Sequence, residues 1–250
     1  MECDRQETAR LERLGGGRFV YVSGSCTFGA DALLLAAFSR PPVWGTVRDR
    51  ERICDLGTGS GILPLQWHTV PRHSDAPPID AVELDAQAAA LAARSVSENG
   101  LTGRIRVIQA DWSRLAPLLE AGRYDRVTCN PPYFAAGTGR KSHSPERLLA
   151  RHESPAGLRD LCESAARLLK NGGRFCLCNR PERLADVLSV LRQARLEPKR
   201  LGFAHHTPGS APFLFLCEAR KNGRPGLDVL PPLFSADIDF VKEAAACPAP

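Results

Sequence analysis

The segment Arg52-Ile53-Cys54-Asp55-Leu56-Gly57-Thr58-Gly59-Ser60-Gly61 decides the fold, because it joins a short apolar run to a glycine-rich turn. The apolar run predicts a buried strand over 52–56, and the residues after the turn predict a helix over 61–68. Glycines at such a junction let the backbone approach a ligand closely before the helix begins. The segment therefore predicts a strand, a tight turn and a helix, with a ligand at the turn.

The same alternation of strand and helix continues along the chain. Strands are predicted over 79–84, 105–110, 124–129 and 173–179, and helices over 86–99, near 115–120, over 156–170 and over 182–194. Strands separated by helices of this length pair in parallel through right-handed crossovers. Two late strands, 199–205 and 212–219, are joined by a turn too short for a helix and should form an antiparallel hairpin. The predicted fold is α/β, a doubly wound, seven-stranded, mostly parallel sheet with a terminal antiparallel hairpin.

The segments outside this alternation are predicted to be appendages of one main domain, which a chain of 250 residues with 43% hydrophobic residues can support. We expect a main domain over 49–234, an N-terminal extension over 1–48 with a short apolar helix at 28–38, and a tail over 235–250. From residue 233 onward a loosely held helix is expected.

Composition argues against secreted and membrane-spanning classes. The nine cysteines are odd in number and the chain starts with a charged, not an apolar, segment, so we expect reduced thiols in a cytoplasmic protein. Cys176 and Cys178 should be small buried side chains on one strand face, since no metal-ligand spacing accompanies them. No apolar run is long enough to cross a bilayer. The net charge of +5 permits binding to nucleic acid.

Polar residues stand where four of the predicted strands end. They are Asp55, Glu83, Asp111 and Asn130. Ligands of open parallel sheets bind at the carboxyl ends of the strands, so these side chains should line one site. Glu83 is suited to bind both hydroxyls of a ribose, and Asp111 to accept from an exocyclic amine, with Ala110 and Trp112 flanking a flat ring.

Two common nucleotide ligands do not fit this series. A nicotinamide dinucleotide site spaces its glycines as G-x-G-x-x-G, whereas here the third glycine is Gly61 and Ile62 holds the expected position. A nucleoside triphosphate loop needs a lysine that this turn lacks. A ligand with a ribose, an adenine and a cationic end near Asp55 remains, which describes S-adenosylmethionine.

The motif Asn130-Pro131-Pro132-Tyr133 follows the predicted strand 124–129. Two prolines stiffen the backbone, and the amide and the aromatic ring form a rigid mouth that can hold a flat amino group. Alone, the motif would be an ordinary turn. Because it follows three acidic residues that stand at the ends of successive strands, the motif indicates catalysis on a nitrogen atom.

Together these motifs resemble the amino-group methyltransferases of the Rossmann-like class I fold, and more narrowly the tRNA1(Val) adenine-37 N6-methyltransferases. Three further stretches carry the narrower resemblance: Phe28 to Ala36, Ala150-Arg151-His152-Glu153, and Leu227-Asp228-Val229-Leu230-Pro231-Pro232-Leu233. The resemblance spans residues 18 to 234. Where that family has Thr-Asp in its first helix, this chain has Ala30-Asp31.

The resemblance implies an S-adenosylmethionine-dependent enzyme that methylates adenine N6 in RNA, most simply tRNA. Asn130 and the carbonyl of Pro131 would each accept one N–H of the target amine, and Tyr133 would stack on its ring. The implied cofactor contacts are Asp31, Asp55, Gly57, Gly59, Gly61, Glu83, Leu84, Asp111, Trp112 and Asn130. The implied RNA contacts are Arg140, Lys141, Arg147 and Arg151. No metal is expected.

Other acceptors with a planar amine stay open at this point: a ribosomal RNA base, DNA adenine or the glutamine of a release factor. The absence of a visible target-recognition domain argues against sequence-specific DNA, and a release-factor enzyme usually carries a longer N-terminal helical domain. A different class, a non-catalytic module that binds RNA or S-adenosylmethionine, also stays open. A monomer is favoured. The basic clusters at 192–200 and 220–224 are interpreted as solvated surface.

Overall fold

The computed structural model describes residues 9–14, 17–40, 51–67, 78–131 and 155–234. Their main element is a nine-stranded sheet. Its strands are β3 (Ile53–Leu56), β4 (Ile79–Glu83), β5 (Ile105–Gln109), β6 (Tyr124–Cys129), β7 (Leu169–Asn179), β8 (Leu196–His205), β9 (Pro212–Lys221), β10 (Asp228–Val229) and β11 (Leu233–Phe234). The order is β10-β8-β9-β7-β6-β3-β4-β5, with β11 also paired to β8. All neighbours pair in parallel except β9, which is antiparallel to both β7 and β8.

Helices cover both faces of the sheet. They are α1 (Ala30–Phe38), α2 (Ile62–Trp67), α3 (Ala86–Glu98), α4 (Pro155–Leu168) and α5 (Leu184–Gln193). One core cluster contains the buried residues of α1 and α2 and part of α3, and the other contains those of α4 and α5. Strand β7 serves both, because Cys176 and Cys178 face the first cluster while Phe175 and Leu177 face the second. The doubly wound architecture and the β8–β9 hairpin are therefore confirmed.

Two short strands beyond the predicted seven lie at the β8 edge of the sheet. β10 and β11 are two residues each and pair in parallel with β8. The prediction of a helix from residue 233 onward is wrong for Leu233 and Phe234, which form β11; residues after 234 lie outside the described part. β10 and β11 pair with backbone N–H and C=O groups of β8 that an uncovered edge would leave exposed to solvent.

The helix predicted near 115–120 is also wrong. The chain forms a 3-10 turn at Trp112–Arg114 and then a single turn in which Leu118 and Leu119 both donate to the Leu115 carbonyl. Pro117, which has no N–H to donate, stands in the middle of the predicted segment. Leu115 and Leu119 are nevertheless buried, so the apolar pattern identified core residues correctly but not their secondary structure.

An N-terminal hairpin, β1 (Arg10–Leu14) and β2 (Arg18–Val22), was not predicted. Its β2 strand is bound to the end of α3. The Asn99 side chain bonds both backbone groups of Phe19, and the Tyr21 N–H donates to Ser95 Oγ at 2.9 Å. This attachment holds the following loop near the glycine turn, where Cys26 Sγ lies 3.9 Å from the position of a Cβ built on Gly59.

No helix among the described residues is long and apolar enough to cross a membrane. The seven described cysteines are free thiols, six of them buried. Cys176 and Cys178 are fully buried, as the sequence interpretation required.

Candidate active site

The glycine turn after β3 passes directly beneath an indole ring. Gly57 has φ +70°, a left-handed conformation that favours glycine, and a Cβ built there would lie 3.2 Å from Trp112 Cζ3. The N–H groups of Gly57 and Thr58 both donate to the Val82 carbonyl, which ties the turn to β4. Gly61 also has a positive φ, +85°, which favours glycine, and a Cβ built there would make only an ordinary van der Waals contact with Ala92 of α3 at 3.5 Å.

Asp55 is a buried carboxylate with one unused oxygen. Its side chain accepts from Thr128 Oγ1 at 2.5 Å through Oδ1, whereas Oδ2 is buried and has no hydrogen-bond partner in the described structure. Burial raises the pKa of Asp55 to about 7, against the opposing effect of the Thr128 and Thr58 hydroxyls, and the nearby charge of Glu83 raises it further. Ser60 Oγ in the same turn is also buried without such a partner. Buried polar atoms left unpaired are costly, and they favour a ligand that satisfies them.

Glu83 lies at the end of β4 and points back to the glycine turn. Its Oε2 accepts from the Gly59 N–H at 2.8 Å, and its Oε1 from the Asp85 N–H at 3.0 Å. Burial raises its pKa, and these backbone hydrogen bonds oppose that effect. An ionised carboxylate can accept about four hydrogen bonds, so Glu83 keeps acceptor capacity for a ligand hydroxyl. Leu84 beside it is 48% exposed, an apolar surface next to the carboxylate.

Asp111 and Trp112 follow β5. Asp111 Oδ1 accepts from both the N–H and the hydroxyl of Ser113, each at 2.8 Å, and so caps the 3-10 turn. This turn directs the Trp112 ring over Gly57, while the Trp112 carbonyl accepts from Ser164 of α4 at 2.8 Å. Asp111 is thus a structural cap, and its second oxygen, Oδ2, can accept a hydrogen bond from a ligand.

Asn130 follows β6 directly and has a partner at each end of its amide. Its Nδ2 donates to Asp31 Oδ2 at 3.1 Å, and its Oδ1 accepts from the Cys178 thiol at 3.2 Å. Asp31, which the resemblance assigned to the cofactor, therefore contacts the predicted catalytic amide. Pro131 is buried. Sequence reasoning missed the contact of Cys178, which it treated only as a core residue.

The remaining predicted site residues lie outside the described part of the chain. They are Tyr133 and the basic residues Arg140, Lys141, Arg147 and Arg151. The two basic clusters interpreted as solvated surface are described. They lie around the start of β8 and the end of β9, at the edge of the sheet opposite Asn130, where Arg192 pairs with Glu197 at 3.2 Å.

The strand register brings the site residues together at the carboxyl ends of neighbouring strands. β3 and β6 pair in parallel with Leu56 opposite Cys129, so Gly57 and Asn130 are the next residues on adjacent strands. Glu83 ends the strand on the other side of β3. Within the described residues no cluster of three or more His, Cys, Asp or Glu side chains is placed to hold a metal ion.

A family model described as "Methyltransferase small domain" matches residues 20–195. The chain belongs to the methyltransferase small-domain family. A relative from Salmonella typhi named tRNA1(Val) (adenine(37)-N6)-methyltransferase is 36% identical over 161 residues, which are 64% of this chain and 61% of that protein. A relative of the same name from Salmonella paratyphi B is 37% identical over the same shares. The matched region thus spans about three fifths of these relatives, whose name is that of the narrower family that the motifs resemble.

Solved structures share the fold of this methyltransferase small-domain chain. The "predicted O-methyltransferase, protein Atu636" from Agrobacterium tumefaciens superimposes with a TM-score of 0.64 at 23% identity, covering 88% of this chain and 98% of that one. A geranyl diphosphate methyltransferase in complex with SAM gives a TM-score of 0.53 at 15% identity, covering 77% and 84%. At these identities the likeness establishes the fold, and it confirms the class I methyltransferase architecture.

Proposed function

We infer that this protein is an S-adenosylmethionine-dependent methyltransferase that acts on the exocyclic N6 amine of adenine in RNA, with tRNA as the substrate class. The observation that supports the proposal is that Gly57 and Asn130 follow the ends of two adjacent parallel strands, so the proposed cofactor turn lies beside the proposed amine-binding motif. The name shared by the Salmonella relatives supports adenine 37 of a tRNA1(Val)-like substrate as the target.

The described residues fit this cofactor. Asp55 offers an unpaired buried oxygen for a cationic end, and Glu83 keeps acceptor capacity for ribose hydroxyls. Leu84 and Trp112 offer apolar surfaces for an adenine, and Asp111 offers an acceptor for its amine. When bound, S-adenosylmethionine supplies an electrophilic methyl group carried on a sulfonium.

The protein's part in the reaction is to hold the target amine. The lone pair of an exocyclic amine is delocalised into its ring, so the amine is a poor nucleophile until its geometry changes. Asn130 Oδ1 and the Pro131 carbonyl, each accepting one N–H, would turn the lone pair out of the ring plane. Such positioning contributes about 7 kcal/mol or more for well-aligned groups, and no strong base is needed.

The substrate must reach this mouth as a splayed-out base. Tyr133 would stack on the target ring, which stabilises the bound base by about 1–3 kcal/mol. A loop of RNA gives up a base at lower cost than a duplex does, which favours an RNA loop over DNA. The basic residues between 140 and 151 would bind neighbouring phosphates. We further propose that the enzyme works as a monomer in the cytoplasm.

The proposal is tested by transfer of a labelled methyl group to four acceptors offered separately: total tRNA, ribosomal RNA, duplex DNA and a release factor. We expect label in tRNA above the other three. Label in the release factor or in DNA would replace the proposed acceptor. Cofactor binding without transfer to any of them would identify a non-catalytic module.

A further inference from the structure

The Asp31 carboxylate lies where it can decide which end of the Asn130 amide faces the target. Asp31 is in the first turn of α1, 99 residues away in sequence, and its Oδ2 accepts from Asn130 Nδ2 at 3.1 Å. An ionised carboxylate only accepts hydrogen bonds. It therefore binds the NH₂ end of the amide and excludes the carbonyl end from the same position.

This choice matters because the two ends of a primary amide have nearly the same shape. Packing alone does not distinguish them, and the hydrogen-bond partners do. A target amine brings N–H donors, so only the carbonyl end of Asn130 can accept from it. A reversed amide would set its own N–H groups against those of the substrate.

A second contact agrees with the same orientation. Asn130 follows Cys129, which pairs with Leu177 of β7, and the next residue of β7 is Cys178. Its thiol donates to Asn130 Oδ1 at 3.2 Å. A thiol donates to an oxygen and not to an NH₂ group, so this contact marks the carbonyl end of the amide.

Glycine at the start of α1 leaves space for this carboxylate. Gly29 is the N-cap of the helix and makes no side-chain cap, unlike Asp85 at the start of α3. A Cβ built on Gly29 would lie 2.6 Å from Asp31 Oδ1, too close for any real contact. Alanine at position 29 would therefore displace the carboxylate without removing its charge.

We propose that Asp31 is a positioning residue for methyl transfer, which holds the Asn130 amide so that its oxygen receives the target amine, and that Gly29 makes room for it. This inference rests on the proposed function of Asn130. The expectation that Asp31 contacts the cofactor is the alternative to this proposal. The charge of Asp31 also polarises the amide to which it is bonded, which makes Oδ1 a better acceptor.

The test compares Asp31→Asn with Asp186→Asn, an exposed carboxylate of α5 that pairs with Arg183 at 3.0 Å. Asparagine at 31 can donate as well as accept, so it no longer selects one orientation of Asn130. We expect the single-turnover transfer rate at saturating cofactor to fall roughly 10- to 100-fold, the range for a lost charge-assisted hydrogen bond. The cofactor Kd should stay within about 2-fold, and Asp186→Asn should match wild type in both.

The double variant Asp31→Asn/Asn130→Asp distinguishes a positioning role of Asp31 from a merely structural one. It restores one donor facing one carboxylate with the partners reversed, while Asn130→Asp alone places two carboxylates about 3 Å apart. We expect the double variant to transfer methyl at least about 5-fold faster than Asn130→Asp alone. A double variant no faster than that single one would overturn the proposal, as would an unchanged rate in Asp31→Asn.

Two further outcomes separate this inference from the proposed function. If Asp31→Asn weakens cofactor binding and leaves the saturated rate unchanged, Asp31 belongs to the cofactor site and the inference is wrong. If wild type methylates no acceptor, the proposed function fails, and NMR of the Asn130 side-chain amide still decides the contact. Its NH₂ resonances should be protected from exchange in wild type and Asp186→Asn and lose that protection in Asp31→Asn and Gly29→Ala; unchanged protection would overturn the contact.

Discussion

Replacing Gly57 with alanine tests whether the turn after β3 is the cofactor site. The substitution adds two costs. A non-glycine residue at φ +70° costs about 1–2 kcal/mol of unfolding free energy. The added Cβ also lies 3.2 Å from Trp112 Cζ3, so the ring must give by a few tenths of an ångström. We expect the second cost to appear in ligand binding, because the displaced indole borders the predicted adenine surface.

Gly100 provides a matched control. It follows α3 with φ +65°, and a Cβ built there meets nothing within 4 Å. Gly100→Ala should therefore show the backbone cost alone in urea unfolding. Calorimetry with S-adenosylmethionine should give a Kd raised by at least about 10-fold for Gly57→Ala, which is ~1.4 kcal/mol, and within about 2-fold of wild type for Gly100→Ala. Equal affinities in the two variants would refute the assignment of this turn to the cofactor.

Three more predictions address individual side chains. Asn130→Ala should abolish transfer while the cofactor Kd measured by calorimetry stays within a few fold; near-normal turnover would remove Asn130 from the mechanism. Glu83→Ala should weaken cofactor binding strongly in the same measurement, because the ribose hydroxyls would lose their proposed acceptor and the Gly59 N–H would lose its partner; an unchanged Kd would exclude Glu83 from the site. Since burial raises the pKa of Asp55 to about 7, cofactor affinity should fall by up to about tenfold per pH unit below pH 7 in wild type and not in Asp55→Asn; equal slopes would contradict its role.

Asp55 should also make the unfolding free energy of the ligand-free protein depend on pH. Its pKa in the folded state is raised from 3.8, so the folded state binds its proton more tightly than the unfolded state does. The stabilising contribution of that proton is complete below about pH 4 and is lost as the pH rises through about 7. Relative to Asp55→Asn, the unfolding free energy of wild type should decline across this interval.

Much of the sheet could be predicted because its strands carry local signals. β6 has the predicted bounds, 124–129, because the stiff proline turn that follows Cys129 ends the strand. The late hairpin was predictable because four turn residues leave no length for a crossover. β3 is buried at all four positions, and its short run is marked in the sequence by the glycine turn that ends it.

The elements that were missed depend on partners remote in sequence. The β1–β2 hairpin is held by the Asn99 side chain, 80 residues from Phe19, and its β2 strand buries Val20 and Val22 in the core. β10 and β11 are too short to show a pattern, and they form because β8 presents an edge. In the site, the acids at the strand ends follow from topology. The contact of Asp31 with Asn130 depends on how α1 packs on the sheet, which no local pattern encodes.

Nucleoside analysis of the methylated product tests the central claim most directly. tRNA is incubated with labelled S-adenosylmethionine and either wild type or Asn130→Ala, digested, and its nucleosides are separated by mass. The account predicts N6-methyladenosine from wild type and none from the variant at equal cofactor occupancy. Label on another atom, or the same product from Asn130→Ala, would contradict it.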